Sequence, residues 1–164
     1  AVDYDGPVAI RYPRGSAYQG LQDHQAPVEY GKSEIIHRGK KIAVLGVGSM
    51  IPSCQEVCQG LREDGYDPTF INARFVKPLD VDLLDKLAED HRLFVTVEEN
   101  VKSGGYGEHV SAYMEACHPE TRVLSATVWD RFVPQGNVDS LRTRIGLGVA
   151  DIRQAIEDCE EVRE

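Results

Sequence analysis

The chain is poor in several things, and each shortage excludes something. Cysteine is sparse: Cys54, Cys58, Cys117 and Cys159 are the four present. None stands in a C-x-x-C pair, which argues against a zinc ribbon or a disulfide framework. Cys54 and Cys58 are four apart beside Val57 and Leu61, and Cys117 and Cys159 also fall on apolar helical stripes. We therefore expect small buried hydrophobes in a reducing cytoplasm. No apolar run is long enough to span a membrane, and no signal peptide is evident. Basic residues are outnumbered, 18 against 27 acidic, for a formal charge of −9. A nucleic-acid binder needs a basic face, so that class is excluded, and any phosphate site must be built from a few locally placed arginines. There is no P-loop, no basic-aromatic strip, and no ligand spacing among His24, His37, His91, His109 and His118. Asp90-His91 and Glu108-His109 read as solvated helix ends. The first residue is Ala1 rather than Met, which leads us to expect a fragment or a processed chain.

What is present is a globular pattern. With 164 residues, 41% of them hydrophobic, the chain can bury a core as one domain plus a short extension. Val8–Tyr12 reads as a short strand stopped by Pro13. Gly15–Gln25 is polar and reads as a linker, and Val28–His37 as extended. From Lys41 the pattern is regular. Ile42-Ala43-Val44-Leu45 is a continuous apolar run, as in a strand buried on both faces. Gly46–Pro52 is its turn, and Ser53 with Glu56 forms an S-x-x-E capping box for a helix ended by Gly65. Thr69–Val76 is the next strand, followed by a helix capped by Asp80 that carries Leu84, Leu87 and Ala88. Leu93–Val97, the turn Gly104–Gly107, and a helix with Val110, Tyr113, Met114 and Cys117 follow. Val123–Val128 is another strand and Val138–Ile145 a short helix. Asp151 caps a last helix with Ile152, Ala155, Ile156 and Cys159 on one stripe. Alternating strands and helices predict a three-layer α/β/α fold with a mostly parallel five-stranded sheet. We place it at 26–164, with 1–25 belonging to something else.

Ligands of an open parallel sheet gather beyond the C-terminal ends of its strands. Four candidates lie there or near. Gly46-Val47-Gly48-Ser49-Met50-Ile51 imitates a dinucleotide fingerprint but lacks the third glycine and the acidic partner, so a tight turn is the better reading. Arg74, at the end of a strand, suits bidentate phosphate binding or an ion pair with a nearby carboxylate. Arg11 and Arg14 flank Pro13 in an extended stretch, where an anion site competes with a solvated turn. Glu98 and Glu99 are adjacent on a strand and point to opposite faces, so they serve structure or an interface rather than an acid/base dyad.

Together these segments resemble a known family. Gly6-Pro7-Val8-Ala9-Ile10-Arg11-Tyr12-Pro13-Arg14-Gly15 is similar to the end of the pyrimidine-binding domain of the 1-deoxy-D-xylulose-5-phosphate synthases. Asn72-Ala73-Arg74-Phe75-Val76-Lys77-Pro78-Leu79-Asp80, Val95–Asn100 and Asp130–Gly136 resemble the C-terminal, transketolase-type domain of the same family. The segments run in the family's order over nearly the whole chain. Transketolases and the β-subunits of 2-oxoacid dehydrogenases share the domain fold and parts of V-E-E. The resemblance implies an enzyme that condenses pyruvate with glyceraldehyde 3-phosphate and releases carbon dioxide, as a homodimer, with thiamine diphosphate and magnesium as cofactors. It implies that Arg11 and Arg74, with Arg14 as a weaker addition, bind the phosphate of the aldehyde. The G-D-G motif that holds diphosphate and metal is absent. The expectation is therefore a substrate-phosphate and dimer-interface module that binds neither cofactor nor metal unaided and is inert without the remaining domains of its parent. A freestanding module for a phosphorylated metabolite or a partner protein is the competing expectation.

Overall fold

The computed structural model describes residues 2–12, 17–24 and 26–159. Pro13 and Arg14 lie outside them. Five strands form one sheet: β1 (Glu34–His37), β2 (Lys41–Gly46), β3 (Thr69–Asn72), β4 (His91–Val101) and β5 (Arg122–Val128). Their order is β1-β3-β2-β4-β5, with β3, β2, β4 and β5 parallel and β1 antiparallel on the β3 edge. The helices are α1 (Ile51–Glu63), α2 (Val81–Ala88), α3 (Tyr106–Cys117), α4 (Val138–Arg144) and α5 (Val149–Glu157), and a 3-10 turn, Gly48–Met50, precedes α1.

The period-two alternation of the strands sorts their side chains into two cores. Val44, Val95 and Val97 face α1 and α5, where Cys54, Val57, Leu61, Ile152 and Ile156 are buried. Ala43, Leu45 and Phe94 face α2 and α3, against Leu84, Leu87, Val110 and Met114. The result is the expected α/β/α sandwich. The approach of α3 to the sheet depends on Gly107: a Cβ there would stand 2.5 Å from Thr96 Oγ1 and 2.7 Å from Ser125 Oγ.

The details depart from expectation at several termini. Val8–Tyr12 is not a strand; Val8, Ile10 and Tyr12 are exposed, and no described strand pairs with them. The third strand stops at Asn72 instead of Val76, because Arg74 turns into the left-handed region with φ 55°. Ser53 does not cap α1. The 3-10 turn feeds straight into Ile51, with Pro52 in the first turn where its missing N–H costs nothing, so Ser53 is already helical. Asp151 likewise lies inside the first turn of α5, whose N-cap is Gly148. Asp80 does occupy the N-cap of α2, but its side chain makes no cap bond. Its Oδ2 instead accepts from Ser33 N at 2.8 Å, and its Oδ1 from Lys32 Nζ at 3.1 Å. Cys54, Cys58 and Cys159 are buried, whereas Cys117, on the last turn of α3, is exposed. His91 is no solvated helix end; it is completely buried at the start of β4.

Candidate functional site

β2 lies between β3 and β4, so the chain reverses direction across the sheet at the C-terminal end of β2, the usual place for a ligand crevice. Here that place is filled by the protein itself. Glu99, just beyond the β4–β2 pairing, accepts from Ser49 Oγ at 2.5 Å and from Arg142 Nε of α4 at 3.0 Å. Partial burial opposes ionisation of Glu99, but the bonds from Arg142 and Ser49 outweigh it and hold the carboxyl below its ordinary value. Gly48 adopts φ 54° with nothing near its missing side chain, which makes it a turn residue. The fingerprint-like loop is thus a tight turn tied to β4 and α4.

Glu98 points the other way. It is 2% exposed and accepts from Tyr106 N at 2.9 Å and Gly107 N at 2.8 Å. These are orphan donors at the start of α3, where a carboxylate is favoured by the helix dipole. The two carboxylates hold different elements and form no dyad.

A cleft of about 470 Å³ opens at the other side of the same edge, between β1, the end of β3 and α2. Arg74 lines it. Its Nη2 donates to Glu34 Oε2 at 2.5 Å and to Ala26 O at 3.2 Å, and its Nη1 to Pro27 O at 3.3 Å. The pair is mostly buried, with 14% of the Arg74 side chain and 10% of that of Glu34 exposed. Lys32, in the same cleft, donates to Asp80 and, at 2.6 Å, to Asp82. The hydrogen bond that Lys32 donates to Asp82 is the largest influence raising the Lys32 pKa, and the same contact lowers that of Asp82. Four carboxylates, Glu29, Glu34, Asp80 and Asp82, face three cations, Lys32, Arg74 and Lys86, along the lining. An anion entering this cleft has to compete with carboxylates already in place. Arg11 is exposed and does not line the cleft. The structure therefore does not bring Arg11 and Arg74 together, and Arg14 lies outside the described residues.

Glu34 escaped notice in the sequence. It sits forty residues from Arg74 in a segment read only as extended, and the antiparallel register, with Glu34 opposite Asn72, is what makes them neighbours. Among the described residues, no three His, Cys, Asp or Glu side chains converge as a metal ion would need.

Residues 31–152 match the model of the transketolase C-terminal domain. The chain belongs to that family. Similar curated proteins are 1-deoxy-D-xylulose-5-phosphate synthases. That of Lachnoclostridium phytofermentans is 41% identical over 152 residues, 92% of this chain and 24% of the relative. That of Dictyoglomus thermophilum is 40% identical over 157 residues, 95% of this chain and 25% of the relative. This transketolase C-terminal domain thus spans about a quarter of the length of those relatives. A solved split-gene transketolase, described as an inactive beta4 tetramer, superposes with a TM-score of 0.76 at 24% identity, over 84% of this chain and 45% of that one. The transketolase of Campylobacter jejuni gives a TM-score of 0.53 at 16% identity, over 79% and 19%. Both show that the domain has the transketolase C-terminal fold.

Proposed function

We propose that this domain is the C-terminal part of a cytoplasmic 1-deoxy-D-xylulose-5-phosphate synthase. Its parent joins pyruvate to glyceraldehyde 3-phosphate, with loss of carbon dioxide. The domain supplies phosphate-binding arginine and interface surface to that parent. The observation that carries the reading is Arg74, a guanidinium fixed by three acceptors at the C-terminal edge of the sheet, beside an open cleft. In the intact parent, packing of the N-terminal segment against the other domains would add Arg11, and with it Arg14, to the phosphate site, although Arg11 does not line the cleft in this chain. The exposed Tyr4, Val8, Ile10 and Tyr12 of that segment suit burial against the other domains or the second subunit of a homodimer.

Thiamine diphosphate and magnesium supply the carbanion chemistry in this reading. The sequence lacks G-D-G, and among the described residues no three His, Cys, Asp or Glu side chains converge, which supports a home for both groups elsewhere in the parent. Cofactor and metal then belong to the other domains of the parent, and no step is assigned to this chain beyond binding and orienting the aldehyde phosphate.

The test is kinetic. In the intact synthase, Arg74→Ala should raise KM for glyceraldehyde 3-phosphate about 10- to 100-fold, the worth of a charged hydrogen-bond pair, and leave KM for pyruvate within about two-fold. An unchanged aldehyde KM removes Arg74 from the site. The isolated chain should show no decarboxylation of pyruvate with both cofactors added, and turnover by it would refute the domain reading.

A further inference from the structure

The grip of Glu34 on Arg74 has a chemical consequence. A guanidinium offers an oxyanion two bidentate edges, Nε with Nη2 and Nη1 with Nη2. Both edges use Nη2. Here the two Nη2 hydrogens are already committed, one to Glu34 Oε2 and one to the Ala26 carbonyl. An incoming anion that binds in the forked geometry must displace one of them. If it displaces Glu34, it exchanges one carboxylate for another charge. If it displaces Ala26, it sits beside Glu34 and meets like-charge repulsion. Either way the Glu34 charge is the opposing force. That force is poorly screened, because both side chains are nearly buried.

We infer that Glu34 is a counter-ion gate on Arg74, refusing singly charged carboxylates and yielding to a doubly charged phosphate ester. A monoanionic carboxylate replaces Glu34 like for like and gains nothing over a partner already held in place. A phosphate ester carries close to two negative charges at pH 7, since its second pKa is about 6, and presents three acceptor oxygens. It therefore wins the exchange. The inference rests on the phosphate role proposed for Arg74. It explains why such a role is compatible with an acidic cleft: an enzyme that takes both pyruvate and a phosphorylated aldehyde needs a phosphate site that rejects the carboxylate of pyruvate. Specificity of this kind comes from a built-in repulsive element rather than from added attraction. Glu34 acts through Arg74 and is a specificity-determining residue, not a catalytic one.

The experiment is calorimetric titration of this chain at pH 7.5 with glyceraldehyde 3-phosphate and, separately, with pyruvate. The wild type should bind the phosphate ester and ignore pyruvate. Glu34→Gln keeps the shape and a weaker, neutral acceptor on Nη2. It should bind the ester about 10-fold more tightly and acquire measurable pyruvate binding. Glu34→Asp, which keeps the charge, should go on rejecting pyruvate. A melting temperature close to wild type shows that each variant is folded. The gate is overturned if Glu34→Gln binds the ester no better than wild type, still rejects pyruvate, or binds neither anion. Arg74→Ala separates the gate from the phosphate role. Loss of ester binding in Arg74→Ala together with an unaffected Glu34→Gln sinks the gate alone. Undiminished ester binding in Arg74→Ala sinks the phosphate role and the gate with it.

Discussion

At the scale of single residues, His91 is the clearest case of a side chain whose environment sets its chemistry. Its Nδ1 faces Leu87 O at 2.9 Å and Asp90 Oδ1 at 2.5 Å, and its Nε2 faces Thr69 Oγ1 at 2.7 Å. Thr69 Oγ1 also accepts from Gly39 N at 2.9 Å. A neutral ring with its proton on Nδ1 satisfies all of these: Nδ1–H donates, and Nε2 accepts from the threonine hydroxyl. Burial pushes the His91 pKa below 6.5 even though Asp90, itself bound by Arg38, pulls upward. The sign for stability follows. The unfolded chain takes up a proton near pH 6.5 and the folded chain only at lower pH. The stability His91 provides is therefore complete above 6.5 and is lost as the pH falls toward the folded value. Asp90, lowered from 3.8, acts in the same direction but below about pH 4. We expect the urea midpoint to drop between pH 7 and pH 5.5, with a slope of at most about 1.4 kcal/mol per pH unit from this site. His91→Gln should flatten that slope, and an unchanged slope would show that another group carries it. Glu98 gives a second residue-scale prediction. Glu98→Ala strands two buried N–H groups and should cost about 3 kcal/mol in urea unfolding, whereas Glu98→Gln, which keeps one acceptor oxygen, should cost less.

At the scale of elements, α3 and α4 are held in opposite ways. α3 is packed, and its distance from the sheet is set by the absence of a side chain at Gly107. Gly107→Ala would drive a methyl group into Thr96 and Ser125, and it should lower the unfolding free energy by about 1–3 kcal/mol. A neutral result by thermal denaturation would mean that α3 can slide. α4 buries none of its residues. It is fastened at its ends, by the Asn137 side chain accepting from Asp139 N and Ser140 N and by Arg142 on Glu99. Asn137→Ala removes a cap worth about 1 kcal/mol. Because the helix contributes little core, the effect should be local. Amide exchange of residues 140–144 should speed up by about five-fold while the global unfolding midpoint barely moves. A large global shift would show that α4 is part of the cooperative unit.

At the scale of the whole molecule, residues 2–12 are exposed throughout, and contact with the core begins further on. Tyr18 Oη donates to Gln55 at 2.8 Å, and Leu21 packs against the core cluster under α1. Deleting residues 1–16 should therefore shift the melting temperature by no more than about 2 °C, the scale of an ordinary surface change. A larger loss would mean that the segment packs on the domain. Much of the domain was legible from its residues alone. The run Ile42–Leu45, the stripe of Cys54, Val57 and Leu61, and the stripe of Ile152 and Ile156 fix strands and helices, because burial repeats with the period of the backbone. Their alternation fixes a mostly parallel sheet. The missing third glycine after Gly48 already spoke against a nucleotide loop. Other features had no local signal. Val8–Tyr12 has the residues of a strand but no partner among the described residues, and pairing is a property of two segments. Ser53 and Asp151 look like caps, yet the true helix starts lie earlier, because a 3-10 turn and Gly148 open the helices ahead of them. The burial of His91 and the meeting of Glu34 with Arg74 depend on which strands lie side by side. The sequence by itself determined that an arginine stands at the end of a strand. The tertiary structure decided that this arginine already holds a carboxylate, since only the antiparallel register of β1 on β3 brings two charges forty residues apart within hydrogen-bond distance.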